Sequence, residues 1–174
     1  MEIGIVTGEE AIASGLAERI VELDRRNMQP VMEAAGIPFP EEKRRRGLEG
    51  GATLIVASDG GVLAGYLQFQ PSWRDPERIY IASIQVEPRH RGGRLMLRLL
   101  AELRRLLELR HFSGFETGVQ KANTAAVEMY RKIGFSLQEN PENHASWIAL
   151  ADHDLLTRSP ILPLLDRYAS TEDR

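Results

Sequence analysis

Apolar positions alternate between two rhythms along this chain. Residues 3–7 are short and rich in branched side chains and read as a first strand. Residues 9–23 place Ile12, Leu16, Ile20 and Leu23 three or four apart, which is helical spacing. Residues 27–35 read as a second helix, stopped at Gly36 and by the Ile-Pro-Phe-Pro that follows, which regular helix cannot hold. Residues 53–58 and 62–70 flank Asp59-Gly60-Gly61, a hairpin signal in which glycine supplies positive φ. Residues 79–86 form the next strand, closed before Pro88. The longest helix spans residues 94–109, with Leu95, Leu99, Leu103 and Leu106 joined by Met96, Leu100 and Leu107 in a wide apolar face that predicts deep packing. A strand (112–119), a helix (124–133), a strand (135–138), an Asn-Pro turn at Asn140 and a last strand (144–150) follow.

The order is strand, two helices, three strands, long helix, strand, helix, two strands. Antiparallel strands followed by a crossover predict an α/β chain built on a mixed sheet with helices on both faces. A length of 174 residues with 43% hydrophobic composition suits one core. The expected organisation is one domain over residues 1–151 and a tail, 152–174, that packs on the domain or on a partner subunit. The tail carries two prolines and a short apolar run over residues 161–168 that offers a surface for a homodimer.

Net charge is −3, which argues against a nucleic-acid partner. The absence of cysteine excludes disulfides, thiolate nucleophiles and Cys-based zinc sites. No metal is expected. The N-terminus lacks a basic segment followed by an apolar run, and no apolar stretch approaches the ~20 residues of a membrane span. The expectation is a cytoplasmic protein. The charge run Glu41-Glu-Lys-Arg-Arg-Arg46 reads as a solvated helix face or loop.

Between Val86 and Leu95 the chain runs Glu-Pro-Arg-His-Arg-Gly-Gly-Arg. Glycines at a strand-to-helix turn allow close backbone approach, and the helix start offers unpaired N–H groups and a positive dipole end. Arg89, Arg91 and Arg94 add charge, so the turn suits phosphate. It is neither a Walker A loop nor a dinucleotide fingerprint.

These residues resemble the acetyl-CoA motif of the GCN5-related N-acetyltransferases, the GNAT family, written Q/R-x-x-G-x-G/A. Arg89 and Gly92 fit its first two positions; Arg94 stands where the family has Gly or Ala. A second family motif resembles N-x-x-A-x-x-x-Y-x-x-x-G-F. Asn123, Ala126, Tyr130, Gly134 and Phe135 occupy every defined position.

The resemblance implies a mostly antiparallel sheet splayed at one parallel strand pair, those ending at Val86 and Val119. It implies acetyl-CoA as cosubstrate, with its pantetheine arm along the backbone near Ile84 and Val86. Its pyrophosphate would lie on the amides of Gly92 and Gly93, with Arg89, Arg91 and Arg94 around it; Asn123 would contact the pantetheine arm, and Tyr130 would also bind the cosubstrate. The implied reaction is transfer of acetyl to a primary amine of a small molecule or peptide, by direct attack in a ternary complex. The Val86 N–H is the candidate oxyanion donor. Tyr130 is the candidate general acid for the departing thiolate, against a purely packing role for an aromatic on an amphipathic helix. Asn123 doubles as a helix N-cap, and Gly134 as a left-handed helix end. No general base stands out: Glu77, Glu87, His111 and His144 are candidates, a water chain could serve instead, and Glu116 is carried forward because its strand would flank the cleft. Residues 32–46, with Phe39 between two prolines and the Lys-Arg-Arg-Arg run, would cover the acceptor as a basic, apolar lid suited to an acidic or amphipathic one. Two further readings stay open: a non-catalytic acyl-CoA-binding module, for which Arg94 speaks, and a toxin that acetylates aminoacyl-tRNA.

Overall fold

The computed structural model describes residues 1–92, 94–108 and 112–152, excepting the side chains of residues 107 and 108. The chain runs β1 (Glu2–Thr7), α1 (Gly8–Ala13), α2 (Leu16–Ala34), α3 (Glu41–Glu49), β2 (Thr53–Asp59), β3 (Val62–Pro71), β4 (Arg78–Val86), α4 (Leu95–Glu108), β5 (Gly114–Gln120), α5 (Thr124–Ile133), β6 (Ser136–Glu139) and β7 (Ser146–Asp152). The strands are hydrogen-bonded in the order β1-β2-β3-β4-β5-β7-β6. The sheet is antiparallel except for the parallel pair β4 and β5, so the expected fold class holds.

Two departures from the sequence reading have local causes. The helix expected over residues 9–23 is broken. Thr7 caps α1 in a capping box with Glu10, and the helix then closes at Ser14 because Gly15 takes φ +70°. The rest of that pattern, from Leu16, and the one over residues 27–35 form a single helix: α2 passes through Pro30 without interruption. The charge run became α3, which adds a third helix before the first hairpin.

The described chain forms two compact units. The first contains Met1–Gln70 and Ser83–Leu99. Its core joins Ala11 of α1, Leu16, Ile20, Val21 and Leu23 of α2, Leu48 of α3, Leu54 of β2 and Leu63 and Tyr66 of β3. Burying each large side chain of this kind contributes roughly 1.5–3 kcal/mol before the entropy of ordering is set against it. A Cβ on Gly65 would stand 2.8 Å from the Gln85 carbonyl oxygen and 3.2 Å from Leu95, so glycine is required where β3 passes the end of β4.

The second unit contains Pro71–Ala82 and the described residues from Leu100 onward. Here β4 pairs in parallel with β5 from Arg78↔Gly114 to Ile81↔Thr117. β5 pairs antiparallel with β7, and β7 with β6. Phe115, Val119, Val127, Ile133, Phe135, Ala149 and Ala151 are buried. Along α4, Leu95, Leu99, Ala101 and Leu103 are buried, as its apolar face predicts. Asp152 closes β7, and residues 153–174, with the apolar run of the tail, lie outside the described residues.

Candidate active site

The phosphate-type turn is built in the first unit. The Glu87 N–H donates to Ala64 at 2.9 Å, which ends β4 against β3. Pro88–His90 form one 3-10 turn, and Gly92 takes φ +73°, a conformation that disfavours any other residue. α4 then begins, with the Arg98 N–H donating to the Arg94 carbonyl at 2.9 Å. Arg89, Arg91 and Arg94 are all exposed here. Gly93 lies outside the described residues. A positive-φ glycine, exposed guanidinium groups and the start of a 14-residue helix fit an anionic ligand.

The turn is tied back to α2 by one side chain. The Arg91 guanidinium donates to the Asn27 side-chain oxygen. The Asn27 amide nitrogen donates to Gln85 at 3.0 Å and to the Val86 carbonyl at 3.2 Å. Ile84 and Val86 are half-buried on β4, and the Val86 carbonyl is thus engaged within the protein.

The second motif lies in the second unit, and each of its residues has a visible task. Asn123 caps α5 by accepting the Ala126 N–H at 3.2 Å. Gly134 ends the helix at φ 102°, and the N–H groups of Gly134 and Phe135 both donate to the Tyr130 carbonyl. The Tyr130 ring packs edge-on against Phe135, with centroids 5.2 Å apart. Burial pushes the Tyr130 phenol above its ordinary value. Hydrogen bonding by Thr117 draws it partly back, and Tyr80 adds to the rise. The Thr117 hydroxyl donates to the Ile81 carbonyl at 2.8 Å. Packing and proton retention therefore coincide in Tyr130: the ring fills core, and the buried hydroxyl keeps its proton.

The base candidates are placed as follows. Glu116 is 2% exposed; one oxygen accepts the Arg74 guanidinium and the other the Ser72 hydroxyl at 3.1 Å. Arg74 also donates to Glu142 at 3.1 Å and lies over the Trp73 ring. Both Glu116 oxygens are thus occupied. Glu87 pairs with Arg26 at 3.0 Å, Glu77 and His144 are exposed, and His111 lies outside the described residues.

The basic lid is not what α3 presents. Arg44 turns inward, Arg45 pairs with Glu41 and Glu18, and Arg46 pairs with Glu42 one turn away. Acidic residues of α2 and α3 offset the run. The inward turn of Arg44 reveals a polar group missed in the sequence: Asp24, Tyr66 and Gln68, all buried, with Ser83. A signal existed. Asp24 sits four positions after Ile20 and Asn27 four after Leu23, along a stripe where a buried helix face should be apolar.

The chain belongs to the GNAT acetyltransferases: the model of the Acetyltransferase (GNAT) family matches residues 17–135, a span holding both motifs. It is similar to the spore coat polysaccharide biosynthesis protein SpsD of Bacillus subtilis (strain 168), 32% identical over 108 residues, 62% of this chain and 36% of that protein. The chain thus corresponds to about a third of that relative's length. Among solved structures, it is similar to the PaiA N-acetyltransferase of Thermoplasma acidophilum in complex with coenzyme A. The TM-score is 0.65 at 15% identity, covering 88% of this chain and 100% of that one. GCN5 of Tetrahymena gives a TM-score of 0.68 at 12% identity over 87% of this chain and 96% of that one. At such identities the likeness concerns the fold. No helix among the described residues is long and apolar enough to cross a membrane.

Proposed function

We propose that this chain is an acetyl-CoA-dependent N-acetyltransferase acting on a primary amine of a small molecule or peptide. The observation that carries the reading is Tyr130. It stands at the tyrosine position of the family motif, buried on α5. A leaving thiolate requires a donor that still holds its proton at neutral pH, and this phenol does. The exposed arginines and Gly92 at the start of α4 supply the complementary part, a cradle for the cosubstrate's phosphates. Asn123, beyond capping α5, contacts the pantetheine arm, which runs along the backbone of Ile84 and Val86. The residues up to 151 act as one catalytic domain.

The reaction is direct attack in a ternary complex. A neutral amine nitrogen attacks the thioester carbonyl, the C–N bond forms, and the C–S bond breaks. The backbone N–H of Val86 faces the developing oxyanion, and Tyr130 gives its proton to the thiolate. Glu116 is not free to take the amine's proton without breaking its bonds to Arg74 and Ser72. Arg94, where the family has a small residue, favours a second reading, an acyl-CoA-binding module without turnover.

Calorimetric titration with acetyl-CoA, followed by thiol release across a panel of amines, tests the proposal. Micromolar or tighter binding with amine-dependent thiol release supports it. Binding without release supports the module. No binding means that the turn does not accept the phosphates.

A further inference from the structure

A directed chain of hydrogen bonds leads from β4 into the core of the first unit. Ser83, half-buried on β4, has its hydroxyl 3.1 Å from that of Tyr66. Tyr66, fully buried on β3, donates to one oxygen of Asp24 on α2. The other Asp24 oxygen accepts the Arg44 Nε at 2.7 Å. Arg44 Nη2 also donates to the Tyr66 oxygen at 3.0 Å and to Gln68 at 3.2 Å, and Gln68 donates to the Gly47 carbonyl at 2.8 Å. A phenol has one proton. Tyr66 gives it to Asp24, so toward Ser83 its oxygen can only accept, and Ser83 must donate. Every proton along Ser83, Tyr66 and Asp24 therefore points toward the carboxylate. Asp24, 1% exposed, is the closed end, and half-buried Ser83, whose oxygen also accepts the Gln85 side-chain amide at 3.4 Å, is the outer one.

We propose that Ser83, Tyr66 and Asp24 form a proton relay that takes the proton of the acceptor ammonium before acetyl transfer. The proposal rests on the acetyltransferase reading above. The ammonium N–H proton passes to the Ser83 oxygen, the Ser83 proton to Tyr66, and the Tyr66 proton to Asp24. The neutral amine then forms the C–N bond as the C–S bond breaks. The thiolate takes the Tyr130 proton, which is replaced through solvent by the second proton leaving nitrogen. Asp24 afterwards returns its proton to water. The charged and titratable groups facing Asp24 are Tyr66 from β3 and Arg44 from α3; Ser83 from β4 is neutral. Burial pushes the Asp24 carboxyl up, while Arg44 and the Tyr66 hydrogen bond pull it down. Burial prevails, which makes it a better proton acceptor than a surface aspartate.

The test is the pH dependence of kcat/KM for Ser83→Ala, Tyr66→Phe and Asp24→Asn with an amine that the wild type acetylates. Melting temperature and acetyl-CoA affinity are measured alongside. The expected result is a loss of about 100-fold or more near neutral pH that shrinks as pH rises toward the amine's own value, ~10.4 for a lysine-like amine. There the amine is neutral without help. A loss of the same size at every pH, or no loss, overturns the relay. Ser83→Ala decides the matter if Asp24→Asn does not fold, because Ser83 lies outside the Asp24–Arg44 ion pair. A wild type that turns over no amine overturns the acetyltransferase reading, and the relay with it. An active wild type with unaltered variants overturns the relay alone.

Discussion

Replacing Tyr130 by phenylalanine separates packing from chemistry. The ring stays buried against Phe135, so the core loses only one oxygen. The lost hydrogen bond with Thr117 is worth about 0.5–1.5 kcal/mol. Thr117 keeps its own partner, the Ile81 carbonyl, so no stranded group adds to that cost. For a chain of this size a loss near 1 kcal/mol lowers Tm by about 2–4 °C. The chemical effect is of another order. General acid catalysis contributes about 10²- to 10⁴-fold, or ~3–5 kcal/mol of barrier. The assay is thiol release at saturating acetyl-CoA, with the melting temperature measured on the same preparation. The expected outcome is a fall in kcat of at least about 100-fold with cosubstrate affinity retained. A Tyr130→Phe protein whose kcat stays within about threefold of wild type would refute the acid role and leave Tyr130 as core alone.

Three further outcomes follow from the charges. Arg74→Ala strands the buried Glu116 carboxylate and should destabilise by about 3–5 kcal/mol, read as a fall in denaturant midpoint; adding Glu116→Gln should restore much of it. Arg44→Ala should cost a similar amount by thermal melting because Asp24 loses its cation, whereas Arg45→Ala and Arg46→Ala should each stay within about 0.5 kcal/mol. Tyr66 and Tyr130 have phenols raised above the unfolded value of ~10, chiefly by burial. Their contribution is complete below pH ~10 and is lost as pH rises through the folded values. Stability should therefore drop in strong alkali, and Tyr66→Phe should flatten that drop.

Much of the architecture was legible because the strands and helices bury one face and announce it by period. The helix of residues 124–133 lies where its pattern places it, with Asn123 and Gly134 as its two ends. The break at Gly15 was hidden because Leu16 and Ile20 continue the helical spacing across it. Between residues 23 and 27 the pattern reads as two helices, whereas α2 runs through both stretches without a break. Asn123 to Phe135 were readable as a motif because their spacing is dense and local. The group around Asp24 was not, because its members are scattered over α2, α3, β3 and β4 and meet only after folding. Charge runs mislead for a related reason. Nothing local distinguishes Arg44, which enters the core, from Arg45 and Arg46 beside it.

Asn27 holds Arg91 and the end of β4 together with one amide group. A free arginine side chain loses about 1.5–2 kcal/mol of rotamer freedom when it is fixed. Folding has already met part of that loss at Arg91, so under the proposed function a phosphate would find there a guanidinium with less left to surrender. Through Arg91, Asn27 would then set the entropic starting point for that ligand.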